Sequence, residues 1–122
     1  MTEPAARSGP APGGSGGVPC CRAALDVRLL VERPGLRLSG EVSLNTHRTW
    51  EGALESLPGM GGAPCLELAA VTFVDVAGAA ALALTAQRLE SGRRIIVDRP
   101  PPSLRRTLEA FWSGLAAIEV TG

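Results

Sequence analysis

The sequence predicts an α/β fold: a two-layer sandwich with a mixed, mostly parallel sheet and helices mainly on one face. Three observations carry that expectation. Short runs of period-two apolar alternation are interleaved with segments of helical apolar spacing, in the order β-β-α-β-α-β-α-β. Strand–helix–strand units imply parallel pairing with right-handed crossovers. Several strands alternate cleanly instead of being apolar throughout, which leaves one sheet face covered and the other wetter.

Residues 1–22 contribute nothing to a core. The run Gly9-Pro10-Ala11-Pro12-Gly13-Gly14-Ser15-Gly16-Gly17 has high backbone entropy and no side chain to bury, so a disordered Gly/Pro-rich leader is expected, with one domain over residues 23–122. Leu25, Val27, Leu29 and Val31 then alternate with Asp26, Arg28 and Glu32 as a half-buried strand. Pro34-Gly35 makes a tight turn, and Leu36, Leu38 and Gly40 alternate with Arg37, Ser39 and Glu41 in a second strand, completing a hairpin. Asn45 or Thr46 caps a helix that runs to about Leu57 with Trp50, Ala53, Leu54 and Leu57 on its apolar side; Pro58-Gly59 ends it.

Cys65 to Val71 reads as the third strand. The second helix spans about Val76 to Glu90, with Ala79, Leu82, Ala83, Ala86 and Leu89 as its core stripe and Thr85, Gln87 and Arg88 turned outward. Ser91-Gly92 closes it, and Arg94 to Val97 form a fourth strand. Pro100 to Pro102 break the chain, Ser103 caps a third helix through about Trp112, and Leu104, Leu108 and Phe111 face in; Ile118 to Val120 make a short last strand.

Composition narrows the function. Formal net charge over the 122 residues is zero, and aromatic residues are too scarce for a base-stacking platform, so nucleic acid is not an expected partner. All twelve basic residues are Arg, the habit of a GC-rich genome. Cys20 and Cys21 are adjacent and Cys65 stands alone, with no Cys-x-x-Cys pair or Cys/His cluster, so neither a zinc site nor a disulfide framework is expected. That usage fits a reducing cytoplasm. The leader has no apolar stretch of a secretory signal, and no run reaches the roughly 20 residues that span a bilayer, so a cytoplasmic protein without membrane insertion is expected.

No catalytic constellation is legible. There is no Ser/His/Asp set at readable spacing, no P-loop and no dinucleotide fingerprint, so neither an enzyme nor a cofactor is expected. Gly13 to Gly17 is flexible chain, because no strand precedes it and no helix follows. His47, the only histidine, reads as a surface residue; Trp50 and Trp112 read as core anchors; Arg93-Arg94 and Arg105-Arg106 read as solvated ends of elements.

One junction stands out. Leu66 to Gly78 reads as a strand, a sharp turn carrying one acid, and the start of an Ala/Leu-rich helix. At such a junction the unpaired amides and the positive end of the helix dipole gather, and ligands and partners dock nearby. Asp75 is either a contact for a partner or a cap accepting from the helix amides, and the two roles can coexist. Gly78 reads as a requirement of backbone fit. Val76 and Ala77 are either an apolar docking patch or the remnant of a lost site.

The order of elements, with Leu38-Ser39-Gly40-Glu41-Val42 in the second strand, Val71-Thr72-Phe73-Val74-Asp75-x-x-Gly78 after the third and Arg94-Ile95-Ile96-Val97 as the fourth, resembles the STAS domain over about residues 25–121. That family includes the anti-sigma-factor antagonists of bacterial partner-switching systems. Its turn typically reads Asp-Ser-Ser/Thr-Gly, and the second hydroxyl is phosphorylated by an anti-sigma kinase; the unphosphorylated form binds that kinase and frees the sigma factor. By position Asp75 matches the Asp, Gly78 the Gly and Ala77 the phosphoacceptor, while Val76 replaces the other hydroxyl and Ser43 stands where the family has an Asp. The scaffold matches and the switch chemistry does not. Phosphorylation would add about −1.5 to −2 charges beside Asp75, and a methyl side chain cannot accept them. Thr72 and Ser43 are nearby hydroxyls, neither in the matching place.

The resemblance therefore implies a non-enzymatic protein that binds an anti-sigma factor or serine-kinase-like regulator through Asp75, Val76, Ala77 and Gly78, with a homodimer left open. It leaves two alternatives: an accessory subunit of an ABC-type lipid transporter, or a ligand-sensing module.

Overall fold

A computed structural model describes residues 24–122; the leader expected over residues 1–22, with Cys20 and Cys21, lies outside the described residues. The described chain runs β1 (Leu25–Leu29), β2 (Gly35–Val42), a 3-10 turn (Leu44–Thr46), α1 (His47–Ser56), β3 (Cys65–Val74), α2 (Val76–Gln87), β4 (Ile95–Asp98), α3 (Pro102–Trp112) and β5 (Ile118–Thr121). The strands lie side by side in the order in which they occur, β1-β2-β3-β4-β5. β1 is antiparallel to β2, and every later pair is parallel. Each strand after β2 adds on the same side of the last, so right-handed crossovers put all three helices on one sheet face. The expected two-layer α/β sandwich is thus a consequence of sequential strand order.

The core fills the space between sheet and helices. Leu36, Leu38 and Val42 of β2, Leu66, Leu68, Val71 and Val74 of β3, and Ile95 and Val97 of β4 meet Trp50 and Leu54 of α1, Ala79, Leu82 and Ala86 of α2, and Leu104 and Leu108 of α3. β3 carries more residues than the stretch of β2 it pairs with, and register shifts fall between Arg37 and Ser39 and between Gly40 and Glu41. Such bulges let the inward set continue past an extra residue. Gly35 opens β2 at φ 145°, and a Cβ there would stand 2.1 Å from the Cys65 carbonyl oxygen, so the entry of β2 beside β3 admits only glycine.

Several expectations need correction. The first strand stops at Leu29, leaving Leu29 and Val31 73% and 98% exposed, because the hairpin loop begins where Leu30 N donates to the Gly35 carbonyl. β3 runs on to Val74, three residues beyond the expected end. Thr85 is buried, not outward; its hydroxyl donates to the Ala81 carbonyl at 2.9 Å, which satisfies the one polar group that opposed burial. Phe111 is 66% exposed, and the core stripe of α3 follows Leu104, Leu108 and the partly buried Trp112, whose ring Phe111 meets edge-on at 5.7 Å. Ser103 is not the cap of α3. Pro101 occupies that position and Pro102 begins the helix, consistent with proline's fixed φ in a first turn. Arg93 is not simply solvated either: its guanidinium donates to the carbonyls of Pro58, Met60 and Gly62, clasping the loop after α1.

Candidate functional site

The turn singled out by the sequence sits where β3 ends and α2 begins. Asp75 is extended, with φ −78° and ψ 174°, and is the N-cap of α2: its Oδ1 accepts from Gly78 N at 2.8 Å, and its carbonyl accepts the first helical bond from Ala79 N at 3.0 Å. The capping role is therefore present. Asp75 N donates to the Val42 carbonyl at 3.1 Å, tying the turn to the end of β2.

Sequence reasoning missed one residue. His47 does not stand apart on the surface: its Nε2 lies 2.9 Å and 2.8 Å from the two carboxylate oxygens of Asp75. A carboxylate only accepts, so Nε2 carries the hydrogen and donates. The two residues are 28 apart in sequence. What joins them is register: Val42 pairs with Val74, so the segment leaving β2 and the segment leaving β3 emerge together. Both side chains are more than two-thirds covered.

Two further contacts fix the turn. Trp50, with no exposed surface, donates from Nε1 to the Gly78 carbonyl at 2.9 Å. Ser103 Oγ accepts from Val74 N at 2.9 Å, so the first turn of α3 holds the last residue of β3. Gly78 itself is packed; a Cβ would fall 2.7 Å from Val42 Cγ1 and 3.0 Å from Val74 Cγ1. The expected backbone fit thus has a steric cause.

What the turn displays is apolar. Val76 is 58% exposed and Ala77 is exposed beside it, at the head of a helix whose Leu84 is also exposed. Of the two neighbouring hydroxyl residues, Thr72 donates from Oγ1 to the Gly40 carbonyl at 3.2 Å, and Ser43, the residue after β2, donates from its backbone amide to Thr46 Oγ1 at 2.9 Å. Among the described residues no hydroxyl or thiol is hydrogen-bonded to His47, and no cluster of three His, Cys, Asp or Glu side chains could hold a metal ion. Two sizeable concavities lie away from the turn: one of about 760 Å3 lies beside the β1–β2 loop and is lined by Leu29, Val31, Arg33, Arg37 and Glu67, and one of about 570 Å3 lies between the end of α2 and Leu115–Ala117.

A five-stranded sheet backed by three helices on one face, with a capping acid at the head of the middle helix, defines a small two-layer α/β domain. The family model described as "Mlab, STAS domain" matches residues 25–116, and the chain belongs to that family of STAS domains. Its fold is similar to that in the "Structure of the Anti-Sigma Factor Antagonist SpoIIAA in its Unphosphorylated Form", with a TM-score of 0.57 at 18% identity, covering 81% of this chain and 89% of that one. No curated protein matches the sequence significantly. Among the described residues no helix is long and apolar enough to cross a membrane.

Proposed function

We propose that this chain is a non-enzymatic regulatory protein of the bacterial cytoplasm that recruits an anti-sigma factor, or a related serine-kinase-like regulator, through Asp75, Val76, Ala77 and Gly78 and the exposed side of α2. One observation carries the reading. The turn is braced by Val42, His47, Trp50 and Ser103, yet Val76 and Ala77 stand exposed on it with Asp75 partly exposed beside them. A surface held that firmly and left apolar is organised for a macromolecular partner. Because Ala77 has no hydroxyl, recruitment is not switched by phosphate at the position where the family carries its acceptor.

The test is recovery of partners by the full chain and by Asp75→Lys, followed by mass spectrometry. The expected result is an anti-sigma factor or kinase-like protein with the native chain and its loss with the variant, whose fold is checked by thermal unfolding. If both recover the same set, the turn is not the docking surface. In parallel, Ala77→Ser incubated with the recovered kinase should become labelled, since the hydroxyl would occupy the exposed second position of α2.

A second reading is favoured by the name of the matching family model. STAS-like subunits of lipid-transport complexes pack on an ATPase, and recovery of a transporter ATPase in the same experiment would select that role. Nothing in the geometry of the turn favours a ligand-sensing module, because the sizeable concavities lie elsewhere.

A further inference from the structure

The sheet face away from the helices carries an ordered pattern of charge. Leu36, Leu38, Leu66, Leu68 and Val97 point into the core, so their neighbours Arg37, Glu67 and Asp98 point the other way. The registers place these residues in one line across the sheet: Arg28 opposite Arg37, Arg37 opposite Glu67, Glu67 opposite Asp98, and Asp98 opposite Thr121. Read from β1 to β4, the line is plus, plus, minus, minus. Like charges directly opposite each other disfavour a sheet, so this segregation is not what the isolated sheet would select. It is only partly compensated within the chain. Arg37 Nε donates to Glu67 at 2.6 Å, Arg28 Nε donates to Asp26 at 2.9 Å, and Asp98 accepts from the Thr121 hydroxyl at 2.9 Å. The Arg28 and Arg37 side chains remain 77% and 61% exposed, while those of Glu67 and Asp98 are 22% and 16% exposed and Arg99 Nε lies 3.9 Å from Asp98.

We infer that this uncovered face is a self-complementary surface for a second copy of the chain. A two-fold axis parallel to the strands, passing between β2 and β3, sets Arg37 over the other copy's Glu67 and Arg28 over its Asp98, twice. An axis perpendicular to the strands within the interface would instead set like charge on like. On one side the line is flanked by small residues, Ser39 beside Ala70, and there two sheets can approach to about the 10 Å of face-to-face packing, within reach of Arg and Glu side chains; on the other, Cys65 is fully covered within the chain and Arg37 and Glu67 border the concavity beside the β1–β2 loop. Five strands spaced about 4.8 Å apart, each four to ten residues long, give a face well below the roughly 800 Å2 per partner of a standard interface. The dimer is therefore weak and electrostatic, and salt dissociates it. This face is opposite the helical layer and does not depend on the recruitment reading.

Sedimentation of the full chain tests the inference. The native chain should show a monomer–dimer equilibrium at low salt, with the dissociation constant rising at least about tenfold as salt is raised to about 0.5 M. Arg28→Glu with Arg37→Glu makes the line all acidic, and Glu67→Arg with Asp98→Arg makes it all basic. Each double variant should be monomeric, an equimolar mixture of the two should form a heterodimer, and the fourfold exchange should restore self-association. A native chain that stays monomeric at about 200 µM in low salt overturns the inference. So does a double variant that dimerises like the native chain, or a folded pair of variants that do not associate on mixing. If circular dichroism shows that a double variant fails to fold, Arg28→Glu alone mixed with Asp98→Arg alone repeats the comparison at the ends of the line. Partner recovery through the Asp75 turn should be the same for all these chains, which separates the two questions.

Discussion

Replacing Gly78 with Ala is the sharpest probe of how the turn between β3 and α2 is built. Gly78 is the third residue of α2, and the added methyl carbon would lie 2.7 Å from Val42 Cγ1, 3.0 Å from Val74 Cγ1 and 3.1 Å from Asp75 Oδ1. Val42 and Val74 are β-branched, buried and fixed on adjacent strands, so neither can swing aside cheaply. Overpacking of this kind costs about 1–3 kcal/mol, and the better helix propensity of Ala returns about 0.5–1 kcal/mol, leaving a net loss centred on about 1 kcal/mol. Gly52 is the control. It lies within α1, is exposed, and a Cβ there meets nothing within 4 Å, so Gly52→Ala should gain about 0.5–1 kcal/mol. For a domain of about this size those changes lower the melting temperature by roughly 4–8 °C in one variant and raise it by roughly 2–8 °C in the other. Thermal unfolding followed by far-ultraviolet circular dichroism reads both. Gly78→Ala melting at or above the native chain would refute the steric argument, whatever Gly52→Ala does.

The remaining predictions concern single groups around the same junction. Asp75→Asn keeps an acceptor for Gly78 N but loses a carboxylate oxygen facing His47 Nε2, so it should lose less stability than Asp75→Ala, which should lose about 1–2 kcal/mol in urea denaturation; equal losses would remove the cap from the account. Ser103→Ala strips the acceptor from Val74 N and should cost about 1–2 kcal/mol, with faster hydrogen exchange at that amide as the local signature. Burial pushes the Cys65 thiol up from its ordinary range, so alkylation at Cys65, mapped by mass spectrometry, should be slow in the folded chain and fast in denaturant; rapid native labelling would contradict it. The sign for stability follows: the unfolded chain releases that proton at lower pH than the folded one, so raising the pH through the ordinary thiol range draws the equilibrium toward unfolding.

Most of the fold was legible because its signals are local. Period-two alternation marked β2, helical spacing marked α1, and Pro/Gly pairs marked the breaks. The cap at Asp75 and the packing at Gly78 were readable for the same reason, since both act within one turn. The His47–Asp75 pair was not, because its cause is the register of β2 on β3, and an isolated histidine near a helix start carries no sign of that. Thr85 was misplaced because polarity argued for solvent while a carbonyl one turn back satisfied its hydroxyl inside. Phe111 was misplaced because, one position before Trp112 at the end of a helix, it could equally have continued the stripe; the indole took the inner place. Ser103 looked like a cap, but Pro101 and Pro102 had already set the start of α3, which freed the hydroxyl for Val74.

The indole of Trp50, hydrogen-bonded to the Gly78 carbonyl beneath the turn, gives the protein its own fluorophore at the place of interest. The chain has two tryptophans and no tyrosine, so Trp112→Phe leaves Trp50 as the sole strong emitter. Any event that loosens or strains the head of α2 then changes the emission of an unlabelled chain, and a titration cuvette can follow it directly.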